Sequence, residues 1–413
     1  MTGRTPLAAA DAATSSLYPC FARADVGFAH GMGAWLTAMD GKDYLDFATG
    51  IAVTGLGHSH PRLVDALVRQ TRKLWHVSNA FQIPEQEQLA KRLCAETFAD
   101  RVFFCNSGAE ALEAAIKTAR RYQFVNGNPQ RNRLLTFAGA FHGRTLATIA
   151  AGGQPKYLEG FGPPVDGFDP VPFGDIEALA AACSAKTAGI LVEPIQGESG
   201  VHALPPESLV KIRALCDRHG LLLVLDEVQT GIGRSGHLFA YQKAGIAPDI
   251  LASAKGLGNG FPVAACLATE AAAAGMTPGT HGSTFGGNPL AMAVASEVVD
   301  IVADAGFLEQ VRSSGEQLRH GLKNLMAEFP EIFEEVRGEG LLIGIKCRPP
   351  VRDVAKAALE HGLLTVVAGD GVLRILPPLN VASHEIEQGL IRLRNAAVSL
   401  LAAEPAAVRL SSE

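Results

Sequence analysis

Six short, uninterrupted apolar runs in the middle of this chain constrain its fold more than any other feature. They cover residues 102–105, 134–137, 189–192, 221–225, 250–253 and 263–267. Alternating patterns mark strands wet on one face, whereas continuous runs suit strands covered on both. Helical stretches fall between the runs, including 110–122 and 206–219. This alternation predicts an α/β fold built on a doubly wound, mainly parallel sheet.

The texture changes after Pro289. Residues 290–329 read as one long helix with apolar residues three and four apart. A strand over 336–346, a helix over 353–361, a short strand over 372–375 and a helix over 383–401 follow, which is the pattern of a smaller α+β unit. Up to about residue 60 helix signals are few, and short strands are expected at 34–38 and 43–47. The tail after Ala402 is expected to fray.

Composition removes several function classes. The chain has 413 residues, 36 Lys and Arg against 42 Asp and Glu, and a net charge of −6 with the signs scattered. That is not the electrostatic footprint of a nucleic-acid binder. Its seven cysteines are odd in number and none is spaced as C-x-x-C, so neither a disulfide framework nor a metal site is expected. No apolar run approaches the ~18 residues of a membrane span, and residues 1–16 lack the apolar centre of a secretory leader. A cytoplasmic protein without membrane partners is expected.

Gly231–Gly236 reads GIGRSG and matches the dinucleotide fingerprint G-x-G-x-x-G. That motif has meaning as the immediate turn from a strand into a helix, with an acid ~20 positions on. Here DEVQT separates the strand from the first glycine, and Asn259 and Gly260 occupy the region where the acid is wanted. The segment is read as a loop, and a nicotinamide oxidoreductase is set aside with it.

Several polar groups fall at the carboxyl ends of the predicted strands, where open α/β sheets place ligands. Lys255 follows the run at 250–253 and precedes GLGNGFP. It is either a surface lysine in a glycine loop or a partly desolvated amine able to form a Schiff base. Asp226 ends the most apolar run of the chain; it is either a loop or capping acid or a carboxylate kept for a buried cation such as a protonated pyridine nitrogen. Ser107 and Glu110 form the S-x-x-E capping pattern, and the same helix start offers free N–H groups to a phosphate. Phe141 could stack on a flat ring or belong to the core. Arg144 could grip a carboxylate or form a surface ion pair. Glu193 and Glu198 bracket an amide at another strand end, and Ser283 and Thr284 lie among glycines.

Together the segments NSGAEA (106–111), FHGRT (141–145), EPIQGE (193–198), LDEVQTG (225–231), AKGLGNGFP (254–262) and HGSTFGGNP (281–289) resemble, in order, those of the class-III aminotransferases. These are pyridoxal 5'-phosphate enzymes of fold type I, and the similarity runs from about Tyr18 to Leu400. The resemblance implies a large domain over 61–288 with a mainly parallel seven-stranded sheet. It implies a small α+β domain from both chain ends, 1–60 and 289–413.

It also implies roles. Lys255 would form the Schiff base and shuttle the proton. Asp226 would hold the pyridinium, with Glu227, Val228 and Gln229 at the ring and Phe141 stacked on it. Ser107, Gly108 and Ala109 would bind the phosphate, with Thr284 reaching it from the neighbouring subunit of a homodimer. Arg144, with Ser283 nearby, would take the carboxylate of the amine donor. Arg374 would take that of 2-oxoglutarate or glutamate, and Glu198 would pair with Arg374 when the other substrate is bound. Within the class the segments FATGIAVTGLGHSHP and ADRVFFCNSGAEA resemble the acetylornithine aminotransferases, which implies N-acetylornithine as donor. Ile51 stands near where ornithine aminotransferases carry a tyrosine, which argues against free ornithine. Succinylated amines and 4-aminobutyrate remain open on these residues, as does an isomerase using the same cofactor.

Overall fold

The computed structural model describes residues 16–403. Its centre is a seven-stranded sheet. In chain order the strands are β1 (Arg101–Cys105), β2 (Arg133–Phe137), β3 (Phe168–Val171), β4 (Thr187–Val192), β5 (Leu222–Asp226), β6 (Ile250–Ser253) and β7 (Ala264–Ala268). Their order across the sheet is β1-β7-β6-β5-β4-β2-β3. Neighbours from β6 to β3 run parallel, while β7 is antiparallel to both β6 and β1. Six strands therefore share one direction, and their carboxyl ends open on the same edge.

The continuous apolar runs behave as two-faced strands. Every residue of β4 and of β5 is buried. Leu223 and Leu225 of β5 pack in one core cluster with Leu209, Ile212 and Leu215 of the helix Pro206–His219. Leu222 and Val224 point the other way and join Ala111, Leu112 and Ala115. Those three belong to α1 (Gly108–Val125), which lies across β6 and β7. The small side chains of Ala111, Ala115 and Ala119 are wholly buried, so this helix approaches the sheet closely.

Three departures from the sequence expectation have local causes. The helix expected over 290–329 is two, Pro289–Val302 and Ala305–Glu328; Asp304 caps the second by accepting the Phe307 N–H at 2.9 Å. The strand expected at 336–346 is a hairpin, Phe333–Glu339 with Leu342–Cys347, turning at Gly340 in a left-handed conformation (φ 54°). Strand β3 has no apolar run at all. It lies at the sheet edge and contains Pro170, whose missing N–H is tolerated there.

Both chain ends meet in a four-stranded sheet in which Asp43–Asp46 pairs in parallel with Leu363–Leu364. A further antiparallel sheet holds Val372–Ile375 next to Leu342–Cys347 and brings Arg374 toward the central strand ends. The tail expected to fray lies, from residue 404, outside the described residues. Among the described residues no helix is long and apolar enough to cross a membrane.

Candidate active site

The carboxyl ends of β1, β2, β4, β5 and β6 enclose one cavity of 390 Å3, lined by Ser107, Phe141, Glu193, Asp226 and Lys255 among others. Open α/β sheets bind ligands at this edge because the loops leaving neighbouring strands diverge there.

Asp226 closes β5 and is 4% exposed. Its Oδ2 lies 2.7 Å from His142 Nδ1, and its Oδ1 accepts the Val228 N–H at 3.0 Å. The other ring nitrogen of His142 is buried with no partner among the described residues. An orphaned N–H would be costly there, so the proton belongs on Nδ1, donating to Asp226. A buried carboxylate is thus fixed by two donors, a histidine behind it and a backbone N–H beside it.

Lys255 follows β6 and adopts φ 45°, a left-handed conformation that costs a side-chain-bearing residue about 1 kcal/mol or more. Its amine is pushed down to about 8, first by burial and then by the Arg374 charge, against the opposing pull of Asp226, Glu193 and Glu198. Glu193, just past β4, accepts the Phe141 N–H at 2.9 Å. Its carboxyl is pushed well above the ordinary range by burial and then by the neighbouring Asp226. Two acids and one amine therefore share a confined space in which burial makes the amine easier to neutralise than an ordinary lysine.

The start of α1 supplies the opposite end of the cavity. Ser107 caps it by accepting the Glu110 N–H at 3.3 Å, while Glu110 returns to the Ser107 N–H at 3.1 Å. The capping pattern is realised, and Gly108 and Ala109 still line the cavity in the first turn, where the helix dipole favours an anion. A Cβ on Gly108 would meet Val228 Cγ1 at 2.8 Å, so only glycine lets this turn close onto the ring-side wall.

Two arginines stand near the cavity, Arg144 lining it and Arg374 buried behind Glu198 and Gln229. Arg374 is 1% exposed; its Nη2 pairs with Glu198 Oε2 at 2.7 Å and its Nη1 donates to Gln229 Oε1 at 3.3 Å. Arg144 lies 5.5 Å over Phe141 and 3.9 Å over Tyr157, and among the described residues no carboxylate pairs with it.

Three expected site residues lie elsewhere. Glu227, expected at the cofactor, points away from the cavity; it accepts from the backbone of Ala240 (2.6 Å) and Tyr241 (2.9 Å) and from Thr230 Oγ1 (3.0 Å). It is fully buried and its carboxyl is pushed up to about 7 by that burial. Its place is to knit the loop after β5, including the glycine run once matched to the dinucleotide fingerprint. Glu227→Ala strands two buried N–H groups and is expected to lower unfolding stability by about 3 kcal/mol. A urea midpoint equal to that of the unaltered protein would contradict this. Ser283 and Thr284 line a separate cleft with Glu110 and His281 rather than the Lys255 cavity of their own chain.

Two lining or adjacent residues carry weight that the sequence did not reveal, His142 and Tyr157, and Glu193, marked there only as a strand-end acid, fixes the Phe141 loop. His142 sits inside a quoted strand-end segment, so position alone could have marked it. Tyr157 lies in the single turn Pro155–Leu158, far along the chain from any strand end, and gives no sequence signal.

Chemically, the cavity offers a lowered amine, a fixed carboxylate, an aromatic face and an anion-binding helix start. That set suits a flat phosphorylated pyridine bearing a carbonyl. Residues 22–397 match the family model for aminotransferase class-III. The acetylornithine aminotransferase of Agrobacterium fabrum (strain C58 / ATCC 33970) is 58% identical over 390 residues, covering 94% of this chain and 98% of that one. Among solved structures, the N-acetylornithine aminotransferase of Stenotrophomonas maltophilia K279a superposes with a TM-score of 0.82 at 39% identity, covering 92% and 98% of the two chains. The ornithine aminotransferase of Toxoplasma gondii ME49 gives 0.89 at 32% identity, covering 93% of each. With its fold, family match and relatives in agreement, this chain belongs to the class-III aminotransferases, which work through pyridoxal phosphate.

Proposed function

We propose that this enzyme moves the δ-amino group of N2-acetyl-L-ornithine to 2-oxoglutarate, giving N-acetyl-L-glutamate 5-semialdehyde and L-glutamate. The observation that carries the reading is the unequal state of the two arginines: Arg374 is neutralised by Glu198, whereas Arg144 has no carboxylate partner. A donor with one carboxylate meets Arg144 and leaves the Arg374–Glu198 pair undisturbed. A dicarboxylate acceptor needs Arg374 as well, and Glu198 yields it. Acylation removes the donor's second ammonium, and Ile51, 43% exposed, offers no hydroxyl to hold one. The 58% identity to a curated acetylornithine aminotransferase points the same way.

Pyridoxal phosphate, when bound, supplies the carbonyl that takes the amine and the protonated ring that accepts its electrons. The rest falls to side chains. Ser107 and the N–H groups of Gly108 and Ala109 would hold the phosphate. Asp226, oriented by His142, would keep the ring nitrogen protonated. Phe141 and Val228, which line the cavity, would pack against the ring. The Lys255 Nζ, lowered to about 8 by burial and the Arg374 charge, would take and return the proton that moves in each half-reaction. Arg144 orients the donor by its carboxylate, and Glu193 fixes the loop that carries Phe141.

Two such chains are proposed to form a homodimer with shared sites. Thr284 is exposed and absent from the Lys255 cavity of its own chain; it shares a cleft with His76, Ser78 and Asn79, and Phe285 next to it and Trp75 and Phe81 flanking that segment in the chain are each more than 60% exposed. The cytoplasm is the proposed location, in keeping with seven free cysteines.

Initial-rate kinetics test the substrate reading. With 2-oxoglutarate as acceptor, double-reciprocal lines for N-acetylornithine should be parallel, as a two-stage cycle requires. Its kcat/KM should exceed those of 4-aminobutyrate and ornithine by at least tenfold, about 1.4 kcal/mol of discrimination. Converging lines remove the two-stage cycle; a preference for 4-aminobutyrate moves the substrate assignment.

A further inference from the structure

Tyr157 touches both carboxylate-handling parts of the cavity. The short turn that carries it follows Gln154, whose Nε2 donates to the carbonyls of Gly139 and Ala140 at 3.1 and 2.8 Å. The turn is thereby tied to the loop bearing Phe141 and Arg144. The Tyr157 ring meets Phe141 edge to face, with centroids 5.8 Å apart, and carries the Arg144 guanidinium 3.9 Å from its centroid. With its ring fixed on both sides, the hydroxyl is directed at Glu198. It lies 3.5 Å from Oε1, while Oε2 of the same carboxylate is held by Arg374 at 2.7 Å.

We propose that Tyr157 is a positioning residue that receives the Glu198 carboxylate when a substrate carboxylate takes Arg374. The site then changes between its two substrates by passing Glu198 from the arginine to the tyrosine hydroxyl. This rests on the two-substrate reading given above.

The argument is one of unmet partners. Arg374 is buried, and two carboxylates crowded on one guanidinium repel each other, so a ligand carboxylate binds there only as Glu198 leaves. Glu198, whose side chain is 29% exposed, is only partly hydrated, so a carboxylate that leaves Arg374 gains from a new donor. The Tyr157 O–H is the donor already facing it. At 3.5 Å the contact is at the limit of a hydrogen bond, and it shortens as the carboxylate turns away from Arg374. The cation stacked on the ring holds the ring in place, and with it the hydroxyl that faces Glu198.

The test uses the cofactor-loaded enzyme and glutarate, a dicarboxylate with neither keto nor amino group, with binding followed by calorimetry. Tyr157→Phe keeps the ring under Arg144 and removes only the hydroxyl. It should weaken glutarate about tenfold in the otherwise unaltered protein. In a Glu198→Ala background, where no carboxylate has to be moved, the same substitution should change binding less than twofold. That loss of effect separates handling of Glu198 from general support of the cavity, which would weaken binding equally in both backgrounds. Equal weakening in both, or none in either, overturns the proposal. If neither the unaltered protein nor Glu198→Ala binds glutarate, the two-substrate reading falls and takes this one with it. Tyr157→Ala, which removes the ring, should also raise KM for the amine donor; an unchanged donor KM would deny the link through Arg144.

Discussion

Replacing Lys255 by alanine is expected to lower turnover by roughly four orders of magnitude, the upper range for removing a positioned proton-transfer group. The variant should also lose the visible absorbance that the cofactor shows when joined to the lysine, while far-ultraviolet circular dichroism stays that of the folded protein. The amine sits where burial and the Arg374 charge lower it to about 8, so about a tenth is neutral and nucleophilic at pH 7, far more than for an ordinary lysine. The direction with pH follows. Below about 8 the amine is mostly protonated and unreactive, so the rate at which apoprotein takes up pyridoxal phosphate should rise with pH through that value and then level off. Lys255→Arg keeps a cation of similar reach that stays protonated, and should be as inactive as alanine. Turnover of the alanine variant within tenfold of the unaltered enzyme would remove Lys255 from the mechanism.

How far the sequence discloses this site depends on where each residue falls relative to a strand. Most of the central strands announce themselves because both their faces are buried, so few polar residues enter the run; β1, half-buried at the other sheet edge, still carries an apolar run in VFFC. β3 is silent because an edge strand with a proline needs no such run. That β7 runs against its neighbours is invisible in composition, since an antiparallel strand between two covered faces has the same apolar texture. Lys255, Asp226, Ser107 and Phe141 are legible because they follow those runs directly. Glu227 misleads for the same reason. It is next to Asp226 in the chain, yet consecutive residues at a strand end face opposite ways, and its carboxylate turns into the loop. Tyr157 reaches the cavity only through the tertiary path of its loop, so no local pattern reveals it. Ser283 and Thr284 stand outside the cavity of their own chain, and a single sequence does not record which face meets another copy.

Asp226→Asn should lower kcat by roughly 10^3, the scale for removing one preorganised electrostatic partner from a water-poor site. The asparagine keeps the shape of the aspartate, but its single carbonyl oxygen can accept from only one of the two donors, the His142 Nδ1–H or the Val228 N–H, so a small loss of stability is expected while far-ultraviolet circular dichroism stays that of the folded protein. What it loses is the negative charge that holds a proton on the ring nitrogen. The phosphate binding proposed for Ser107, Gly108 and Ala109 does not depend on that charge, and Lys255 remains, so the variant should still acquire the cofactor's visible band. Turnover and cofactor binding should therefore separate, which a merely misfolded protein would not show. The pH dependence supplies a second signature. Without the carboxylate the ring nitrogen gives up its proton more easily, so residual activity should fall as pH rises through a range where the unaltered enzyme is flat. His142→Ala should act in the same direction but less strongly, because it removes the residue that orients Asp226 and leaves the charge in place. If Asp226→Asn retains activity within threefold, with an unchanged pH profile, the carboxylate does not act on the ring, and the buried pair of His142 and Asp226 is structural.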